Sequence, residues 1–287
     1  MRWEHSENKF GITGDDLDKA FSDDLIRTLM DELHYTKPKT SSSDGSVIRI
    51  QMHDPHTGKE SAFRFNIGSF LDGSSVLVNP CGSTNVIFDL TGNMTPELAE
   101  TVNIPEKEGN GVRKRTLSER YQMLRSNGIG MEYAGTQDPV LENNLRMIDS
   151  RLPEILAEML KLHYVEGISD IGEQIGILSE RNPLKFREPR EYPYYELKIK
   201  KMLTSYALGM RPSSPWKEDE QAEGYITVNE DGEVLCYHPR NRSDLEDYLI
   251  GYTKLDTPSV TRHGFSDVYK TVDGKYRLKL NLQIRFK

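Results

Sequence analysis

A chain of 287 residues, 36% of them apolar and only two of them cysteine, can bury its own core without disulfide staples. No run approaches the roughly 20 apolar residues of a membrane span, and the polar start at residues 1–10 is unlike a signal peptide, so a cytoplasmic protein away from membranes is expected. The net charge of −8 argues against indiscriminate nucleic-acid binding, yet residues 1–34 hold nine acids and four bases (−5) while residues 254–287 hold eight bases and three acids (+5), so a local basic surface is available.

In chain order, Leu17, Phe21, Leu25, Leu29 and Leu33 recur every four residues and predict an amphipathic helix over 14–34, with an acidic outer face. A polar, Ser/Thr/Pro-rich loop at 37–46 follows. The segment 47–67 is two β-rich runs around a turn with Asp54, Pro55 and Gly58, a hairpin signal. The run 74–90 adds one or two strands broken at Pro80 and Gly82, so residues 1–92 read as a helix followed by a β-meander. Residues 91–111 read as a linker, and 113–127 as a basic helix. Apolar periodicity then continues through 145–164, with Pro153 tolerable only in a first turn or at a kink. Helices over 168–180 and 194–208, the second ended by Gly209, complete a mainly helical region at 93–215. Region 216–287 holds a hairpin turning at Asp231 and Gly232, a helix at 243–252 capped by Ser243, and a hairpin turning at Asp273 and Gly274. Its last strand places Tyr276, Leu278, Leu280, Leu282, Ile284 and Phe286 inward and Arg277, Lys279, Gln283 and Arg285 outward. The expected class is α/β (α+β), a mixed β-sheet core with a helical middle section and C-terminal β-hairpins in one compact domain.

Phosphodiester hydrolysis requires carboxylates for divalent ions and a lysine to stabilise charge on the attacked phosphate. An antiparallel hairpin brings an acid at the start of one strand opposite groups at the end of the next. Asp44, a candidate metal ligand, and Asn66, within 66–69, occupy those places; Asp24, Asp31 and Glu32 are substitute acids. His53 and His56 form an HxxH with no evident third ligand, and Cys81 and Cys236 lack metal-site spacing.

The strings HDPHTG (53–58), LVNPCGSTNVIFDL (77–90), KIKKMLTSYALGM (198–210), GEVLCYHPRNR (232–242), and RHGF (262–265) with KLNLQIRF (279–286) resemble, in this order, segments of HpaII-like type II restriction endonucleases. The resemblance covers the chain from about Ser41 onward. It implies a restriction-endonuclease-like scaffold of the PD-(D/E)XK kind, Mg²⁺ where the site is active, and double-stranded DNA with a short G/C-rich palindrome such as CCGG as substrate. It also points to a homodimer and to a cognate DNA methyltransferase or companion endonuclease as partners. In the family pattern the first strand opens Ser-Asp-Ile and the second carries Phe-Ser-Ile-Lys-Ser, which puts the aspartate at Val47 and the lysine at Gly68. Both catalytic groups are therefore absent from their expected positions. Two readings stay open: a site-specific deoxyribonuclease with a rebuilt site, and a degenerate homologue that binds DNA or a partner without cleaving. Candidate DNA contacts are Ser83, Thr84 and Asn85; Lys198, Lys200 and Lys201; Arg240, Asn241 and Arg242; and Arg262 and His263. Arginine and asparagine suit base edges, and lysine suits phosphates.

Overall fold

In the computed structural model the described residues are 3–5, 48–53, 58, 60–69, 75–108, 111–113, 115–188, 191–217, 222–228, 234–237 and 242–287. The helix expected over 14–34, with Asp24, Asp31 and Glu32, lies outside them. So do His56 and the 37–46 loop.

β-rich runs around Gly58 become β2 (Ile48–His53) and β3 (Glu60–Ser69), antiparallel from Ile48↔Phe65 to His53↔Glu60. On the far side of β2 lies β1 (Trp3–His5). β3 is joined on its other edge by a parallel strand, β9 (Gly224–Val228), which pairs in turn with β10 (Val234–Tyr237). A parallel pair needs a long crossover, and here more than 150 residues separate β3 from β9. The resulting mixed sheet, ordered β1-β2-β3-β9-β10, belongs to one compact unit made of residues 1–75, 203–210 and 216–249.

The second unit comprises residues 76–202, 211–215 and 250–287. Its strands are β4 (Val76–Val78), β5 (Asn85–Thr91), the β6 (Glu106–Glu108) and β7 (Gly111–Arg113) ribbon, and β8 (Gly130–Thr136). Its helices are α1 (Pro96–Asn103), α2 (Leu117–Ser126), α3 (Pro139–Ile148), α4 (Leu152–Glu166) and α5 (Ile171–Arg181). The boundary between the units falls inside α6 (Tyr194–Ala207), and the end of α7 (Arg242–Tyr252) crosses it again. The C-terminal part adds β11 (Thr253–Leu255), the single turn α8 (Val260–His263), β12 (Tyr269–Lys270), β13 (Tyr276–Asn281) and β14 (Ile284–Phe286). Two sheets result, β11-β14-β4, which meets α5 through β11, and β12-β13-β5-β8, which packs through β13 and β8 on α4, whose Leu152, Ile155, Leu156, Met159 and Leu160 are wholly buried. The architecture is α+β with mixed and antiparallel sheets.

Several boundaries differ from the sequence expectation. The periodic run at 145–164 is two helices, because Pro153 has no amide hydrogen and is accepted only in a first turn, so the chain breaks at 149–151 and restarts as α4. The linker at 91–111 contains α1, started by Thr95, whose hydroxyl accepts from Leu98 N, with Pro96 at the first helical position, and then the β6–β7 ribbon. The meander divides: β3, β4 and β5 lie in three different sheets. The basic helix starts at Leu117, where Thr116 and Glu119 form a reciprocal capping box, and α7 starts at Arg242, one residue before Ser243. The last strand is interrupted at Leu282–Gln283, so β13 and β14 serve different sheets; its alternation holds, with Leu278, Leu280, Leu282, Ile284 and Phe286 all buried.

Candidate hydrolytic hairpin and nucleic-acid interface

Asn66 and Gly68 are two residues apart on β3 and so share one face of the strand. That face is buried. Asn66 is 5% exposed, and its Nδ2 donates to the carbonyl of Ala207 at the end of α6 over 2.8 Å. The amide thereby satisfies a carbonyl that the helix leaves without an intrahelical partner. Tyr225 is the register partner of Asn66 on β9, and its ring runs toward Gly68. A Cβ added at residue 68 would overlap the Tyr225 hydroxyl and lie 3.2 Å from Cζ. Any side chain here, lysine included, meets an aromatic ring already in its place. Burial pushes the Tyr225 phenol well above its usual range, so it stays neutral.

Among the described residues, the end of β3 holds an amide whose Nδ2 is committed to a carbonyl and a glycine, neither of which brings a negative charge to Mg²⁺. Among the described residues no group of three or more His, Cys, Asp or Glu is placed to hold a metal ion. Asp44, Val47, Arg240 and Asn241 lie outside the described residues; His53 ends β2.

In the second unit the chain brings together two of the predicted DNA-contact strings. Residues 82–84 form a 3₁₀ turn leading into β5, which pairs with β13 through Asn85↔Asn281 and with β8 on its other side. Asn85 Nδ2 donates to the carbonyl of His263 (2.9 Å) and to Gln137 Oε1 (3.0 Å), joining the 82–85 string to the 262–265 string. Asn281 Nδ2 donates to Asn85 Oδ1 (2.7 Å) and to the carbonyl of Cys81 (2.9 Å). Thr84 Oγ1 lies 2.9 Å from the Cys81 carbonyl and 3.2 Å from Asn281 Oδ1. Thr84, Asn85 and Asn281 are 1% exposed or less, so this is an internal framework. Their polar atoms are spent inside the protein. Ser83 Oγ donates to Asp138 over 2.6 Å, while Asp138 accepts from Val140 N and caps α3; both bonds hold its carboxyl below the usual range.

Around the framework lies a basic rim. Lys279 Nζ donates to Gln137 Oε1 over 3.0 Å, lies 5.3 Å from the Tyr269 ring centroid, and has no ion pair among the described residues. Arg277 and Lys275 both bond Asp89 (2.6 and 3.4 Å); burial pulls that carboxyl upward, but the two cations outweigh it and hold it low. Arg262 is exposed on α8, whose hydroxyl cap is Ser259, and Gly264 closes that turn with φ of 61°.

The remaining candidates are engaged locally. Lys198 is bonded to Asp149 and lies 5.7 Å from the Phe186 ring centroid, while Arg151 lies 5.8 Å from the same centroid. Lys200 pairs with Glu196 over 2.8 Å, Lys201 is exposed, and Arg242 pairs with Glu246 over 3.3 Å. Sequence reasoning missed Tyr225 and Gln137: a tyrosine in an apolar strand and a glutamine in a strand-to-helix turn carry no motif. Lys279 was legible as an outward position of the last strand, without a role.

The profile of the family described as HpaII restriction endonuclease matches residues 12–286. The type II restriction enzyme HpaII of Haemophilus parainfluenzae is 37% identical over 269 residues, spanning 93% of this chain and 72% of that protein. No solved structure matches. With the polar framework and the β2–β3 hairpin both inside the match, the chain belongs to the HpaII restriction endonuclease family.

Proposed function

We propose that this chain is a site-specific double-stranded-DNA-binding protein of the restriction endonuclease type, with a short G/C-rich palindrome of the CCGG kind as its target. The observation that carries the reading is the convergence of the 82–85 and 262–265 strings on one rigid framework edged by Lys279, Arg277 and Arg262. A framework whose own polar atoms are bonded internally holds the exposed groups at its rim in place, and fixed rim groups are what base reading and phosphate anchoring require. A palindrome favours a two-fold dimer, and a cognate methyltransferase would protect host copies of the site. The test is titration of a CCGG duplex and a scrambled duplex at two salt concentrations. Tighter binding of the CCGG duplex, weakening steeply with salt, supports the reading; no binding to either at low salt overturns it.

A second reading concerns the chemistry, and the overlap of any residue-68 side chain with Tyr225 favours it: DNA is bound and not cut by the family's route. Loss of a single preorganised charge-stabilising donor typically costs about 10² to 10³ in rate, and here the expected acid and lysine are both missing. The chain then serves as a DNA-binding or partner subunit beside an intact endonuclease. Supercoiled plasmid with Mg²⁺ or Mn²⁺ should stay supercoiled. Cleavage that disappears on Asp44→Ala would instead establish a hydrolytic site rebuilt around Asp44.

A further inference from the structure

Gln137 is exposed in the turn between β8 and α3, and its carboxamide cannot be flipped. The atom 3.0 Å from Lys279 Nζ must be oxygen, because an ammonium only donates. The same atom accepts from Asn85 Nδ2, whose own orientation is fixed by donation to the His263 carbonyl and by acceptance from Asn281 Nδ2. Asn281 is anchored in turn to the Cys81 carbonyl. A series of buried amides thus sets which end of an exposed one faces outward. Gln137 Oε1 is occupied twice, leaving its NH₂ as the available end, and Nε2 lies close to Gly82, where an added Cβ would come within ordinary contact at 3.8 Å.

We infer that Gln137 and Lys279 form a donor-only reading head for the major-groove edge of guanine. The inference rests on the proposed DNA binding. A free glutamine offers both an acceptor and a donor and matches adenine, which presents N7 as acceptor and N6–H₂ as donor. Here the acceptor is consumed internally. What remains is a carboxamide NH₂ beside an ammonium that has N–H groups beyond the one given to Gln137. Two adjacent donors match guanine, whose N7 and O6 both accept, and they oppose the N6–H₂ of adenine, which would face donors with a donor. The selection therefore works by attraction to one base and by an unpaired donor against the other. The rigid framework supplies this at little ordering cost on binding.

The test compares wild type, Gln137→Ala and Gln137→Glu on a CCGG duplex, the same duplex with 7-deazaguanine in place of guanine, and one with adenine–thymine pairs in place of guanine–cytosine pairs. Gln137→Glu keeps an oxygen for Asn85 and Lys279 and replaces the outward donor with a charged acceptor; because that charge weakens binding to every duplex alike, reading is separated from scaffolding by the ratio of guanine to 7-deazaguanine affinity within each variant. Wild type should lose about 10-fold in affinity on the 7-deazaguanine duplex. Both variants should bind the guanine duplex about 10-fold more weakly and no longer distinguish it from the 7-deaza duplex. A merely structural role for Gln137 predicts that Gln137→Glu, although weakened on every duplex by its charge, still prefers the guanine duplex to the 7-deaza duplex as wild type does, and that result overturns the inference, as does retained discrimination in Gln137→Ala. If wild type binds no duplex at low salt, the DNA-binding reading itself falls and takes this inference with it.

Discussion

Gly68 and Tyr225 act as a pair. A methyl at residue 68 would overlap the Tyr225 hydroxyl, so Gly68→Ala should destabilise the protein by about 1–3 kcal/mol, the usual penalty for overpacking a filled core. Tyr225→Phe removes the hydroxyl, and Gly68→Ala with Tyr225→Phe should recover a good part of the loss; additive urea-denaturation midpoints would contradict the overlap. Gly68→Lys, the change that the family pattern invites, should yield a less stable protein, and cutting Tyr225 back as well should recover stability but not cleavage, because the acid expected at position 47 is still missing. His163 offers a second test. Its Nδ1 lies 2.9 Å from Ser169 Oγ and its Nε2 3.0 Å from Thr257 Oγ1, and burial pushes its pKa down to about 4 despite the neighbouring Asp256 carboxylate. Between the ordinary value of 6.5 and about 4 the unfolded chain binds the proton and the folded one does not. Stability is therefore full above pH 6.5 and falls as the pH drops through that window, by at most about 3 kcal/mol from this group. Denaturant midpoints at about pH 7 and about pH 4.5 should differ less in His163→Gln than in wild type.

At the scale of elements, caps and turns explain where the chain changes direction. Thr95, Thr116, Asp138, Asp170 and Ser259 each accept a backbone amide at a helix start, and Gly167, Asn182 and Gly264 take the left-handed conformation at helix ends. Local chemistry does not decide how α2 is tied to the segment after α8. That link is Arg120, 1% exposed, whose Nη1 donates to the Ser266 carbonyl (2.6 Å) and to Asp267 (2.8 Å). Ser266 has φ of 83°, a conformation non-glycine residues rarely adopt, so the buried guanidinium holds a strained turn in place. Arg120→Ala should cost about 3 kcal/mol, since it removes two charge-assisted bonds and opens a cavity. A loss below about 1 kcal/mol in thermal or urea unfolding would show that the turn is held by other contacts.

For the whole molecule, the charge distribution matters more than its total. A chain of net charge −8 gains no general attraction to phosphate, so any DNA affinity must come from a local basic surface. Arg262 is exposed beside the polar framework. Replacing it with alanine should weaken binding to all duplexes alike and reduce the slope of log affinity against log salt by about 1, whereas a change in base preference would make it a reader of sequence.

The sequence by itself determined the elements whose signals are local. The β2–β3 hairpin, the α5 and α6 helices, the alternation through β13 and β14 and the family resemblance were all legible, because turn residues, apolar periodicity and ordered strings act over a few neighbours. Asn66 and Gly68 were also recognised as positions of consequence. Only the tertiary structure decided what surrounds them: Tyr225 comes from β9, more than 150 residues away, and fills the space that a side chain at Gly68 would need. The same holds for Gln137, whose orientation depends on Asn85, Lys279, His263 and Asn281, brought together from distant parts of the chain. Periodicity shows which way a side chain points from its own strand. What it meets there is set by long-range pairing, which leaves no mark in the local sequence.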